Sequence, residues 1–208
     1  MPSANAVVRV LKSMPEYGAA FHAAFPKDRN PVTFDRAAEA IGAFERKLLT
    51  PSRWDRFLGG EEAALSVDEK GGFNTFVKTG CPACHDGALI GGQALQRLGA
   101  IKPYPDNSDP GRYSVTKRES DRMIFKVPSL RNVALTGPYF HNGKVASLPE
   151  AVAQMAEYQL GKTLSDGDVR AIVAWLKSLT GGLPADYIKE PATLPKSTPR
   201  TPKPVTEG

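Results

Sequence analysis

Cys81-Pro82-Ala83-Cys84-His85 contains both cysteines of this 208-residue chain. Two thiols at C-x-x-C spacing, followed at once by histidine, form the attachment sequence for a c-type haem. The thiols can form thioether bonds to the two vinyl groups of one porphyrin, and the histidine is then held beneath the iron as an axial ligand. Other readings of the same residues are poorer. A thioredoxin-like redox pair calls for a βαβ pattern, and no alternation of strands and helices surrounds the motif. Structural zinc calls for four N or S ligands. Outside the pentapeptide only His22 and His141 remain as imidazole donors, at no zinc-finger spacing.

The residues before the motif explain how it is presented. Ser66-Val67-Asp68-Glu69 has the capping-box form. The helix it opens carries Phe73, Phe76 and Val77 and runs into Gly80, so a rigid helix delivers both thiols and His85 in one turn. Further upstream, Ala6 to Ser13 and Tyr17 to Phe25 carry apolar residues at helical spacing. Pro26 ends the second of these. Thr33 is a good N-cap for a helix through Ala37, Ile41, Phe44, Leu48 and Leu49, stopped by Pro51.

Downstream, residues 87 to 115 hold Gly87, Gly91, Gly92, Pro103, Pro105, Pro110 and Gly111 and no sustained period, so they read as a loop. A long loop in a compact domain usually wraps something, here the haem edge. Residues 125 to 143 mix turns with apolar anchors. Ser147-Leu148-Pro149-Glu150 is a second capping box. Its helix puts Leu148, Val152, Met155 and Gln159 roughly on one face and closes at Gly161. Ser165 caps a last helix through Val169, Ile172, Val173, Trp175, Leu176 and Leu179, stopped by Gly181-Gly182. Residues 183 to 208, with six prolines, read as an extended, mostly disordered tail. The fold class expected is all-α: a cytochrome c-like helical domain with long haem-wrapping loops.

Composition narrows the function classes. Hydrophobic residues make up 41% of the chain, enough for a core. The net charge of +5 comes from scattered Lys and Arg, which reads as a mixed-charge surface rather than a nucleic-acid footprint. A basic rim could still steer an acidic redox partner. No stretch approaches the roughly 18 apolar residues of a membrane span. Met1-Pro2-Ser3-Ala4-Asn5-Ala6 has no basic n-region leading into an apolar h-region, so it does not read as a secretory signal. Covalent haem attachment is ordinarily done outside the bacterial cytoplasm, so either a signal lies upstream or the chain is a fragment, and the second is the expectation preferred.

The sixth iron position decides the chemistry: a thioether there gives an electron-transfer centre of raised potential, whereas an open site gives ligand or peroxide chemistry. The residues offer Met14, Met123, Met155, His22 and His141. Met155 lies mid-helix, where periodicity alone favours a core methionine. Physical reasoning leaves this choice open.

The assembled residues resemble the bacterial dihaem cytochrome c peroxidases, a family that includes the MauG-like enzymes. The resemblance runs over nearly the whole chain: Met14-Pro15-Glu16-Tyr17 with Phe25-Pro26, the Gly80-to-His85 motif, Gly91-Gly92-Gln93 and Gly111-Arg112-Tyr113. Above all it includes Leu130-Arg131-Asn132-Val133-Ala134-Leu135-Thr136-Gly137-Pro138-Tyr139-Phe140-His141-Asn142-Gly143. It ends with Met155, Gln159-Leu160-Gly161 and Trp175 to Gly181. The resemblance implies a C-terminal, high-potential haem domain at residues 61–182. Residues 1–60 then form a helical segment leading in from a missing N-terminal haem domain, and 183–208 a Pro-rich extended tail.

It further implies Cys81 and Cys84 as the thioether attachments of one haem c, His85 as proximal ligand and Met155 as distal ligand. MauG-like members carry a tyrosine at that last place. His141 takes a pocket role near the haem and its propionates. The backbone carbonyls of Thr136 and Pro138 help hold a calcium ion whose remaining protein ligand lies in the missing domain. No residue of this chain is expected to be catalytic. The implied function is the electron-transfer domain of a periplasmic peroxidase that reduces hydrogen peroxide to water. Its donor would be a small c-type cytochrome or a cupredoxin, and homodimers are the family habit. The alternatives are a self-sufficient monohaem c-type cytochrome acting as a carrier and, more weakly, a MauG-like oxidase of a protein substrate.

Overall fold

The computed structural model describes residues 3–203; Met1, Pro2 and residues 204–208 lie outside it, and with them the outer ends of the expected 1–60 and 183–208 segments. The chain divides into two compact units, one formed by Met1–Leu49 with Leu183–Gly208 and one by Thr50–Gly182.

The first unit holds α1 (Ala4–Lys12), α2 (Pro15–Ala24) and α3 (Phe34–Glu45). Ser3 caps α1 by accepting from the Ala6 N–H, and Pro15 opens α2, where its missing N–H costs nothing. Thr33 caps α3 as its sequence position predicts, accepting from Arg36 N–H at 3.2 Å. The helix stops at Glu45, short of the expected Leu49. Lys47 and Leu48 donate to the carbonyls of Phe44 and Glu45, tightening the chain into i→i+3 turns. Leu48 and Leu49 are exposed and give no burial to sustain another helical turn. Residues 183–203 carry no helix or strand but are held against these helices. Tyr187 stacks on Phe44 at 5.1 Å and donates to its carbonyl at 3.1 Å. Thr198 Oγ1 donates to Ser13 O at 2.9 Å.

The second unit contains α4 (Arg53–Leu58), α5 (Val67–Thr79), β1 (Leu95–Arg97), α6 (Tyr113–Thr116), β2 (Ile124–Lys126), α7 (Leu148–Leu160) and α8 (Asp166–Ser178). Its core is built around Trp175 and Leu179, both fully buried, with Ile172, Leu176, Phe76 and Trp54. Trp54, Phe73 and Phe76 surround the Trp175 indole at 5.4, 5.2 and 4.5 Å. Helices α5 and α8 make the main crossing. Gly72 permits it: a Cβ there would lie 1.9 Å from the Ala171 carbonyl oxygen.

The capping box of α5 is complete, with Ser66 Oγ accepting from Glu69 N–H at 3.2 Å and Glu69 Oε2 from Ser66 N–H at 2.9 Å. That of α7 is half made. Ser147 Oγ accepts from Glu150 N–H, but the Glu150 carboxylate takes Gln154 Nε2 instead. The expected loop over 87–115 contains a strand, β1, which pairs antiparallel with β2 through Gln96 opposite Phe125. All three β1 residues are exposed, so no alternation announces it.

Candidate haem site

Helix α5 ends at Gly80, whose φ of +98° is the left-handed cap that glycine adopts without cost. The chain then winds into a tight turn, with Cys84 and His85 N–H both donating to the Cys81 carbonyl at 3.2 and 3.1 Å. The five motif residues are thus one rigid turn on the end of a capped helix. Both sulfurs are free and half-buried. Cys81 lies against the core, and burial pushes its thiol up to about 11. Cys84 Sγ has Gln96 Nε2, from β1, at 3.9 Å. Among the described residues no three His, Cys, Asp or Glu side chains converge on a point that could hold a bare metal ion.

His85 is turned with Nδ1 enclosed, and no acceptor meets it in hydrogen-bond geometry. Burial pushes the ring's pKa down, and the nearby backbone of Ile90 and Pro128 offsets this only in part. The neutral imidazole is the form that ligates a metal, and enclosure of Nδ1 leaves Nε2 to do so. The loop backbone approaches the ring closely at Gly91, φ +112°, where a Cβ would sit 3.0 Å from Nδ1 and 2.3 Å from the Pro128 carbonyl oxygen.

That loop is laced to the segment before residue 132. Gly92 N–H donates to Val127 O, Leu130 N–H to Ile90 O and Ser129 Oγ to Leu89 O. Arg131 Nε donates to Ala88 O at 2.9 Å, while its other two nitrogens grip Asp55 of α4. Arg131 and Ser52 hold the Asp55 carboxyl well below the usual carboxylate range. Sequence reasoning misses both Asp55 and Arg131 as site residues. The Ser52-x-x-Asp55 spacing is a capping signal that points to α4, and Ser52 N–H does donate to Asp55 Oδ2 at 2.7 Å.

On α7, Leu148 is buried and Val152 packs on the core; Met155, one turn on, is half-buried in the same unit as His85. Two other candidates fall together: Met123 and His141 line one small cavity with Leu98, Phe125 and Phe140. His141 Nε2 is 2.7 Å from Asp109 Oδ2 and its ring lies 4.7 Å from Phe125. Met123, at φ +60°, is pinned by its backbone to Pro110 and Leu98. Met14 stands at the N-cap position of α2 without a side-chain cap bond, and His22 is exposed on that helix, both in the first unit. Thr136 and Pro138 are exposed on either side of Gly137.

The residues present fit a covalent haem. Two half-buried thiols share one turn, a neutral imidazole has one nitrogen enclosed, and a thioether lies on a core helix of the same unit; this is a haem c donor set. Leu89, Leu95 and Ile101 on the adjoining loop are 44%, 51% and 67% exposed. Large apolar side chains left open on one segment fit a surface that closes on an apolar group.

A family profile described as di-haem cytochrome c peroxidase matches residues 1–63. The chain is 48% identical over 204 residues to the cytochrome c551 peroxidase of Pseudomonas aeruginosa, covering 95% of this chain and 58% of that protein. It is 40% identical over 180 residues to the cytochrome c peroxidase Ccp of Escherichia coli, covering 84% and 38%. To the methylamine utilization protein MauG of Methylorubrum extorquens it is 34% identical over 152 residues, covering 72% and 42%. Among solved structures, a MauG-like protein associated with microbial copper homeostasis superposes with a TM-score of 0.68 at 26% identity, over 90% of this chain and 64% of that one. The chain spans about half the length of the curated relatives it matches.

Proposed function

The chain belongs to the MauG-like di-haem cytochrome c peroxidase family, and on that premise we propose that it supplies the electron-transfer haem c domain of a peroxidase reducing hydrogen peroxide to water. The observation that carries the proposal is the single Cys81-to-His85 turn, presented by α5 with His85 Nδ1 shut in against the Gly91 loop. Haem c, when bound, supplies reversible one-electron chemistry.

This chain's residues hold it in that role. Cys81 and Cys84 would bind it covalently, and His85 would hold its iron through Nε2. Met155 would hold the iron through its sulfur, and with both protein donors in place the group would serve electron transfer rather than peroxide chemistry. His141, held by Asp109, borders the pocket. Asp55 and Arg131 fix the loop that positions the His85 ring. The sequence carries one attachment motif, so peroxide chemistry belongs to a second haem with an open position and nearby acid–base groups, in the N-terminal part of the enzyme. The donor is a small c-type cytochrome or cupredoxin, the compartment the periplasm, and the assembly a homodimer. The Thr136 and Pro138 carbonyls, oxygen ligands of the kind calcium takes, contribute to a calcium site completed by that N-terminal part.

Optical spectra of the chain matured in a periplasm test the proposal. The expected result is one haem per chain, low-spin in both oxidation states, reversibly redox-active and with negligible peroxide turnover. Robust peroxide turnover by the purified chain would overturn it.

A further inference from the structure

Gln159 lies four residues after Met155, so both occupy one face of α7. Its side-chain amide makes three hydrogen bonds to a single target, the chain at the end of β1. Oε1 accepts from Gly99 N–H at 2.5 Å and from Ala100 N–H at 3.2 Å, while Nε2 donates to Arg97 O at 2.9 Å. Donors face the oxygen and an acceptor faces the nitrogen, which fixes the amide's orientation. The same segment closes the end of α7. The Tyr158 carbonyl, one of the last four that an α-helix leaves without an internal partner, accepts from both Ile101 and Lys102 N–H at 3.2 and 3.1 Å. Tyr104 packs edge-on against Tyr158 at 5.1 Å.

The other end of this connection reaches the attachment turn. Gln96, next to Arg97 in β1, lies with its Nε2 at 3.9 Å from Cys84 Sγ. A continuous path therefore runs from Cys84 through β1 to the Gln159 amide and back one helical turn to Met155. Gly99, at φ +76°, makes the tight return possible: a Cβ would lie 2.5 Å from Tyr104 N.

We propose that Gln159 is the positioning residue for Met155. By tying the last turns of α7 to the segment after β1, it holds the thioether at a fixed distance from the turn that carries the two thiols. This rests on the assignment of Met155 as axial ligand. Without the bracket, α7 is tied to this segment only near its end, through the Tyr158 carbonyl and ring and Glu157, and the thioether becomes easier to displace.

Imidazole titration of the ferric, haem-loaded chain reads this directly, because imidazole competes for the position Met155 fills. Gln159→Leu is expected to bind imidazole about tenfold more tightly than the parent, the equivalent of one or two hydrogen bonds, with haem content unchanged. Gln159→Glu keeps the acceptor for Gly99 and Ala100 but loses the donor to Arg97, and is expected to fall between. Lys102→Ala removes a solvent-exposed ion pair between that segment and Glu157 of α7, a kind of contact worth little, and is expected to match the parent.

If Gln159 were only a stability element, Gln159→Leu would melt earlier with imidazole affinity unchanged, and that result overturns the proposal. Should Gln159→Leu fail to mature, an unchanged affinity in Gln159→Glu overturns it equally. Met155→Ala run alongside separates the two ideas. If it binds imidazole more tightly while the Gln159 variants do not, only the positioning role fails. If its spectrum and affinity match the parent's, the axial assignment itself fails.

Discussion

Arg131 and Asp55 form a two-point clamp, with Nη1 and Nη2 at 2.8 and 2.7 Å from the two carboxylate oxygens, across 76 residues of sequence. The third guanidinium nitrogen holds the Ala88 carbonyl. One planar group thus joins α4, the loop behind His85 and the segment leading to residue 132. Fork-to-fork geometry of this kind is the strong form of the ion pair.

The clamp has a pH signature. The Asp55 carboxyl is depressed, first by Arg131, so its contribution is fully present above the unfolded carboxylate value of about 3.9 and is lost as pH falls through the lower folded value. Asp55→Asn is expected to cost about 1–3 kcal/mol at neutral pH and to lose less further stability than the parent between about pH 4 and pH 2. Urea melts of the two proteins across that range check it; parallel curves would remove Asp55 as the responsible group.

Gly71 and Gly72 are neighbours on α5 with opposite expectations. Nothing lies within 4 Å of a Cβ at Gly71, so Gly71→Ala is expected to stabilise by up to about 1 kcal/mol through helix propensity. At Gly72 the Ala171 carbonyl blocks the space, and Gly72→Ala is expected to cost about 2–3 kcal/mol by forcing α5 from α8. Thermal melts of both variants decide the matter.

Gly91→Ala combines a left-handed backbone with a clash on the Pro128 carbonyl. It is expected to lose about 2 kcal/mol or more and to reduce haem incorporation, because the displaced loop is the one seated on His85. Haem content per chain after maturation is the measurement.

Met155→Ala is expected to abolish the low-spin ferric spectrum and lower the reduction potential. An unchanged spectrum would redirect attention to Met123 or His141, which line one small cavity.

The helices are legible where a capping residue and an apolar period coincide. Thr33, Ser66, Ser147 and Ser165 each cap where the sequence places them. Helix α4 escapes because six residues are too few to show a period. β1 escapes because three exposed residues cannot alternate. The apolar period overextends α3, since Leu48 and Leu49 continue it without finding anything to bury against. Within the site, Cys81, Cys84 and His85 announce themselves by spacing. Asp55, Arg131 and Gln159 do not, because their roles lie in partners 40 to 80 residues away, a relation that only the folded backbone creates.

The first unit is assembled from both ends of the chain, with Tyr187 on Phe44 and Thr198 against Ser13. Those pieces are synthesised apart in time, with the whole second unit made between them. The stretch from Thr50 to Gly182 is contiguous and can settle while synthesis continues, whereas Ser13 and Phe44 meet Thr198 and Tyr187 only after that stretch has been made. Protection during folding is therefore needed more by residues 3–49 than by residues 50–182.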